Sequence, residues 1–169
     1  MPAPIIILPY NSEYPRFYAE EKKVILGALG DKILSIDHIG STAVQGMPSK
    51  AIIDVIVGVA SRETAEDCTG LLFSAGYGDI TVENHPEWFC CLGKPLKSVY
   101  CHLHIVLEGS EHHRNHILFR DYLRRHPDTA REYADLKIGM AETYRNDRFA
   151  YTEAKTAFIT KVTAKAMLK

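Results

Sequence analysis

The sequence is poor in the features that mark several large classes of protein. Only four of its 169 residues are cysteine, and no two of them are spaced as Cys-x-x-Cys, so neither a zinc ribbon nor a disulfide framework is indicated. No stretch approaches the ~20 consecutive apolar residues that a membrane-spanning helix needs, so no membrane association is expected. The chain carries 20 basic and 21 acidic residues, whereas a general nucleic-acid binder needs a basic excess. Nucleic acid is therefore not expected as a partner.

No targeting signal is predicted at the beginning of the sequence. The segment MPAPIIILPY holds a short apolar run between prolines and no basic leader, so a signal peptide is not predicted. We expect a cytoplasmic protein. The length fits one domain over residues 1–169, and no repeat or linker interrupts it.

The hydrophobic pattern predicts an α/β (α+β) domain with a helical C-terminal part. The stretch over residues 51–59 is apolar on both faces and should form a central strand. Before and after it, the pattern predicts a helix over 12–29, a strand over 32–40, and a helix capped by Ser61 and closed by Gly76. Two strands around a Gly-Lys-Pro turn are predicted within 87–109. Helices follow from about Glu111, with a break at Pro127 and Asp128 as the cap of the next helix.

One stretch, HIGSTAVQGMPSKAIIDVIVGV from His38 to Val59, gathers the groups that a phosphate site needs. Gly40 and Ser41 end a strand in a tight turn with exposed backbone N–H groups, and the hydroxyls of Ser41 and Thr42 could add hydrogen bonds. A helix beginning there would favour an anion further. Asp54 follows in the apolar strand, where a carboxylate is costly unless it is paired, hydrogen-bonded or bound to a metal. A structural pairing with a lysine is the simpler alternative.

Three segments together resemble the GrpB-like family, a branch of the nucleotidyltransferase superfamily. They are HIGSTAVQGMPSKAIIDVIV, HLHIV and FRDYLRRHPDTAREYADLK, and the resemblance runs from about Tyr14 to Leu168. It implies a nucleotidyltransferase-like mixed sheet flanked by helices. In that superfamily a Gly-Ser turn holds the triphosphate, and an Asp-x-Asp/Glu pair binds two magnesium ions.

Carried over to this chain, the resemblance makes Gly40 and Ser41 the phosphate turn and Asp54 the first metal carboxylate and catalytic residue. It implies a nucleoside triphosphate and a divalent cation, Mg²⁺ or Mn²⁺, as cofactors. The second carboxylate should stand at position 56, where this chain has isoleucine. A two-metal mechanism needs several carboxylates, and the candidates for the missing one are Asp37, Glu83 and Glu108. A second departure lies at 87–91, where the family carries an arginine and an aromatic pair.

Histidines on the strand YCHLHIVLE are candidates to complete the site. His102 and His104 point to one face of the strand, and imidazole suits zinc, iron, manganese or nickel better than magnesium. With Asp54 they could form a metal site, they could contact a phosphate or a base, or they could simply be half-exposed. His112 and His116 have the i, i+4 spacing of metal ligands on a helix, but we expect an exposed helix start there.

Basic side chains should neutralise a bound phosphate. Lys50 and Arg120 are preferred because they lie inside the family-like segments, whereas Lys137 and Lys155 fall on mixed helical faces. Arg120 and its neighbour Asp121 are not expected to face each other on a helix.

Three functions remain open from the sequence. The first is transfer of a nucleotidyl group from a nucleoside triphosphate to an unknown small molecule or protein. The second is a non-catalytic nucleotide-binding or accessory domain. The third is a metal-dependent hydrolase that uses Asp54, His102 and His104. The oligomeric state is not predicted.

Overall fold

A computed structural model describes residues 4–80 and 90–168. Its strands are β1 (Ile33–Ile39), β2 (Ile52–Val59), β3 (Gly78–Asp79), β4 (Cys90–Pro95) and β5 (Tyr100–Leu107). Its helices are α1 (Tyr14–Leu29), α2 (Arg62–Ser74), α3 (Glu111–Arg125), α4 (Pro127–Thr143) and α5 (Arg148–Met167). Within these ranges, no helix combines the length and the apolar character that a membrane crossing requires.

The described strands form one mixed sheet in the order β1-β2-β5-β4-β3. Strand β2 lies inside the sheet, as its two apolar faces predicted, with β1 antiparallel on one side and β5 parallel on the other. The register of the parallel pair places Asp54 beside His102 and Ile56 beside His104. Two strands that are distant in sequence therefore bring the candidate carboxylate and the candidate histidines together.

The two faces of β2 are buried against different helices. Ile53, Val55, Val57 and Val59 are fully buried in the main core, which α1 and α2 cover. On the other face Ile56 packs with Ile39, Val106 and Ile117 beneath α3. Full burial of one such aliphatic side chain stabilises the fold by about 1.5–3 kcal/mol. The sheet is thus fixed from both sides, and the polar end of β2 is held in place.

Most predicted boundaries agree with the structure, and two local predictions are wrong. Ser61 caps α2 by accepting a hydrogen bond from the Thr64 backbone N–H. The Gly-Lys-Pro segment lies within β4, and the chain turns afterwards, where Leu96 N–H donates to Val99 O. Asp128 is not the cap of α4, because Pro127 already occupies its first turn and His126 precedes it. Proline suits that position since its missing N–H would have no helical partner.

Candidate functional site

A cavity of about 380 Å³ lies between the polar end of β2 and the C-terminal helices. Its volume falls in the range of small-molecule pockets. The turn after β1 contributes Gly40 and Ser41, and β2 contributes Asp54. The other charged or imidazole side chains that line it are Lys50, His104, His112, His116, Arg120, Lys137 and Lys155. Most of the residues that the sequence singled out therefore meet in one place.

Gly40 is the point where the turn touches the carboxylate. Its φ is +70°, a conformation that residues with a side chain rarely adopt, and a Cβ atom there would lie 2.4 Å from Oδ2 of Asp54. Only glycine fits without displacing that carboxylate. The turn continues as a single 3₁₀ turn at Ser41–Ala43, so the longer helix that could have added a favourable field for an anion is absent from this turn.

Asp54 is partly accessible, with 27% of its side chain exposed, and Nδ1 of His102 lies 3.5 Å from its Oδ1. Burial works against its ionisation, but the hydrogen bond from His102 and the charge of Lys50 together hold the pKa of the carboxyl below its usual value. Asp54 is therefore an anion at neutral pH, able to bind a cation.

Lys137 is the lysine most closely tied to the turn. It is only 2% exposed, and its Nζ donates a hydrogen bond of 2.8 Å to Oγ of Ser41 and another to the Pro48 carbonyl. Burial, with the nearby charges of Lys155 and Lys50, lowers its pKa to about 7. The sequence favours Lys50 and Arg120 over Lys137 as phosphate ligands. The contact of Lys137 with Ser41 is not visible there, because 96 residues separate the two.

Lys155 and Lys50 stand near Tyr151 on the same side of the cavity. Their Nζ atoms lie 3.9 and 5.8 Å from the centre of the Tyr151 ring. Burial lowers the pKa of both, that of Lys155 to about 8. Three ammonium groups are thus held in a cavity that disfavours their charge, which is the arrangement expected where a bound anion compensates them.

Two other predicted phosphate ligands, Thr42 and Arg120, already serve structural contacts. The Thr42 hydroxyl donates to the Ile52 carbonyl and lies 2.9 Å from Nε2 of His38. Arg120 is buried; it donates to Asp37 at 2.7 Å and to the His38 carbonyl at 3.0 Å. These bonds fasten α3 and the turn to β1. A phosphate contact by either residue stays a prediction.

The expectation that Arg120 and Asp121 would not meet is wrong. Nε of Arg120 donates to Oδ1 of Asp121 at 2.7 Å, because the long arginine side chain folds back over its neighbour. Arg120 is therefore paired with two carboxylates, whereas no described carboxylate forms an ion pair with Lys50, Lys137 or Lys155.

Neither of the described candidates for a second metal carboxylate, Asp37 and Glu108, lines the cavity with Asp54. Ile56 is fully buried in an apolar cluster, Asp37 pairs with Arg120, and Glu108 accepts a hydrogen bond from Ser35. Glu83 and most of the departure at 87–91 lie outside the described residues. Of the described residues lining the cavity, Asp54 is the one carboxylate. Within 4–80 and 90–168, no group of three imidazole, thiol or carboxyl side chains is already arranged around a metal position.

The two histidines predicted on β5 contact different groups. His102 contacts Asp54 and the Tyr100 ring, whereas His104 lines the cavity. Burial, with His116 nearby, lowers the pKa of His104 to about 3. The exposed helix start expected at 111–116 is wrong for His112 and His116, which are half-buried and turn towards His104. Their i, i+4 spacing was the available signal.

The comparison with protein families decides what kind of chain this is. The family model described as "GrpB protein" matches residues 4–165.

The chain belongs to the GrpB family.

Relatives within the GrpB family match over nearly the full length. "Glutamate-rich protein GrpB" of Alkalihalophilus pseudofirmus is 32% identical over 162 residues, which is 94% of this chain and 93% of that protein. The crystal structure of the conserved protein GrpB from Enterococcus faecalis superimposes with a TM-score of 0.85 at 28% identity, covering 96% of this chain and 98% of that one. The sheet order and helix arrangement are thus shared with another GrpB protein.

A more distant likeness relates the GrpB fold to a larger group. Cid1, solved in complex with its short product ApU, has a TM-score of 0.53 at 12% identity, covering 78% of this chain and 42% of Cid1. At this identity the likeness concerns the fold. The mixed sheet with flanking helices is therefore similar to nucleotidyltransferase-type folds, as the sequence resemblance implied.

Proposed function

We propose that this protein binds a nucleoside triphosphate with one divalent cation in the cavity and transfers the nucleotidyl group to an acceptor. One observation carries the proposal: the Gly40–Ser41 turn, the Asp54 carboxylate and the three lysines at 50, 137 and 155 line one cavity. The negative charge of a polyphosphate would offset the positive charge of these three ammonium groups. The partners are the nucleotide and an acceptor that we do not identify.

The cavity is also shaped for the rest of a nucleotide. Its lining also includes the apolar side chains Phe119, Leu123 and Ile159, which can take a base or sugar by burial of apolar surface. The fold likeness to Cid1, solved with the dinucleotide product ApU, supports a nucleotide over other polyphosphates.

The donor set fits one hard cation, not two. Mg²⁺ is commonly held by one or two carboxylates and completed by substrate phosphates and water, and Asp54 beside the phosphate turn provides such a carboxylate. Two adjacent ions would need further carboxylates, which the described lining does not supply. When bound, the cation supplies charge stabilisation at the phosphates.

The protein groups then have separate roles in the transfer. A nucleophilic atom of the acceptor forms a bond to the α-phosphorus while the bond from that phosphorus to the bridging oxygen breaks. The electron pair leaves with pyrophosphate, and the acceptor proton passes to water. Ser41 and Lys137 hold the phosphates at the turn, and Lys50 and Lys155 offset the charge that builds on the leaving pyrophosphate.

Binding is tested by isothermal titration of MgATP into the purified chain. Replacing Lys137 by methionine removes a buried ammonium but keeps the length of the side chain, so we expect at least tenfold weaker binding, with a cooperative thermal melt that shows the variant to be folded. Lys161→Met, an exposed lysine on α5, should bind as tightly as wild type. Equal affinity of Lys137→Met and Lys161→Met would show that the cavity is not the phosphate site.

The lowered lysine pKa values predict two opposite responses to pH. Lys137 and Lys155, with pKa values of about 7 and about 8, lose charge between pH 7 and 9, so pyrophosphate should bind more weakly as pH rises. Their pKa values lie below the ordinary 10.5, so the unfolded chain binds more protons in this window. Stability of the free protein should therefore rise from pH 7 towards pH 10.

Calorimetry with pyrophosphate and thermal melts at several pH values check these two responses. In Lys137→Met both slopes should be shallower. If pyrophosphate affinity and protein stability changed in the same direction with pH, the assignment of Lys137 and Lys155 as phosphate-binding groups would be contradicted.

A second candidate function follows from Ile56. Its complete burial in place of a carboxylate favours a domain that binds nucleotide without turnover. Tight MgATP binding with no pyrophosphate release, in the presence of Mg²⁺ or Mn²⁺, would support this accessory function over transfer.

A further inference from the structure

Two histidines on one turn of α3 direct the same ring atom at each other. Nε2 of His112 and Nε2 of His116 are 3.1 Å apart, and the ring centres are separated by 4.4 Å. Both rings line the cavity, and both are half-buried. Since the nucleotide site uses Asp54 and the lysines, these imidazoles are not needed for the proposed transfer.

The separation of the two nitrogens matches the spacing of neighbouring ligands on one metal ion. Zinc–imidazole bonds of about 2.0–2.1 Å place adjacent ligand nitrogens about 3.4 Å apart in a tetrahedron and about 2.9 Å apart at a right angle. The 3.1 Å in this protein lies between these limits. A helix with histidines at i and i+4 can therefore hold two ligand atoms around one ion without backbone change.

A third imidazole comes from the sheet. The ring centre of His104 on β5 lies 5.7 Å from that of His116 and 6.2 Å from that of His112. In the part of the chain that the structure describes, three such ligands do not yet surround one point, so His104 has to turn towards the pair. Rotation about the side-chain bonds of His104 is the movement that the proposed site requires.

The protonation states of His104 and His116 favour binding of a metal ion. Burial lowers the pKa of His104 and of His116, so both are neutral at pH 7, the form that binds metal. In the free protein one Nε2–H donates to the other Nε2. On metal binding that hydrogen moves to Nδ1 of its own ring, and both Nε2 lone pairs become available without a change in net charge.

We propose that His112 and His116, with His104 as the third ligand, form a site for a borderline transition-metal ion such as Zn²⁺, at the end of the cavity formed by β5 and α3. Nitrogen ligands select such ions over Mg²⁺. The proposed site shares the cavity with the oxygen donor Asp54 but uses a different set of ligands. It does not depend on the proposed nucleotidyl transfer.

The test uses Zn²⁺ alone, without nucleotide, on full-length chain stripped with a chelator. Calorimetry should show one Zn²⁺ bound per chain, and Co²⁺ in its place should give the visible absorption of a nitrogen-ligated ion. His112→Gln and His116→Gln should each weaken Zn²⁺ binding at least tenfold. His113→Gln is the matched control, because His113 lies between them but accepts from the Gly109 N–H instead, and it should bind as wild type does.

Thermal melts separate loss of a ligand from loss of the fold. Zn²⁺ should raise the melting temperature of wild type and of His113→Gln, and should not raise that of the double variant H112Q/H116Q. The proposal is overturned if well-folded wild type binds no Zn²⁺ below millimolar concentration, or if the double variant binds it equally. A failure of nucleotide binding or transfer leaves this outcome unaffected, since neither is measured.

Discussion

Replacing Asp54 by asparagine should reduce nucleotidyl transfer by about a thousandfold, equivalent to roughly 4 kcal/mol of transition-state stabilisation. The change keeps the shape of the side chain but removes the one carboxylate that the described residues place in the cavity. A divalent cation bound as proposed would then lose its protein ligand beside the Gly40–Ser41 turn. The measurement is release of pyrophosphate from labelled ATP with Mg²⁺ or Mn²⁺.

The matched control for this variant is Asp67→Asn. Asp67 lies exposed on α2, where it pairs loosely with Lys32 at 3.5 Å, and its loss should leave transfer unchanged. Thermal melts confirm that both variants are folded. Turnover that survives in Asp54→Asn would mean that a different residue binds the cation.

Gly40→Ala should damage both stability and transfer. Gly40 has φ +70° and ψ −170°, a region essentially confined to glycine, so an alanine there costs about 1–3 kcal/mol. Its methyl group would stand 2.4 Å from Oδ2 of Asp54. The carboxylate has to move or the turn has to open. We expect a loss of unfolding free energy of about 2 kcal/mol or more, together with a large loss of transfer. Urea denaturation and pyrophosphate release measure the two effects.

Gly27→Ala gives the opposite expectation and serves as the control. Gly27 lies on the exposed side of α1, and a Cβ atom there would meet nothing within 4 Å. Alanine in a helix interior is about 0.5–1 kcal/mol more favourable than glycine, so this variant should be slightly more stable and fully active. If Gly40→Ala behaved like Gly27→Ala, the close approach of the turn to Asp54 would be disproved.

The basic residues that line the cavity have two different roles. Arg120 is held by Asp37 and Asp121, so it stabilises the join between α3 and β1. Lys137 instead contacts a hydroxyl and a carbonyl, neither of which carries a charge. A ligand with several phosphates is therefore expected to interact mainly with the lysines.

Local patterns in the sequence were sufficient for the elements and for part of the site. The apolar run at 51–59, interrupted by Asp54, predicted a strand inside the sheet, because only a strand covered on both faces can be largely apolar on both. The Gly40–Ser41 turn and Asp54 were found from residue type and spacing, and the family resemblance is confirmed by the match over residues 4–165. The Gly-Lys-Pro turn and the Asp128 cap were wrong because competing local signals lay within a few residues of each other.

The tertiary structure alone decided which charges meet. Lys137 reaches Ser41 across 96 residues, and Arg120 reaches Asp37 across 83, distances over which sequence periodicity carries no information. The parallel pairing of β2 with β5 set Asp54 beside His102, and the packing of α3 on the sheet turned His112 and His116 inward towards His104. Periodicity tells which face of an element is apolar, but the partner of a polar side chain depends on how elements far apart in sequence pack together.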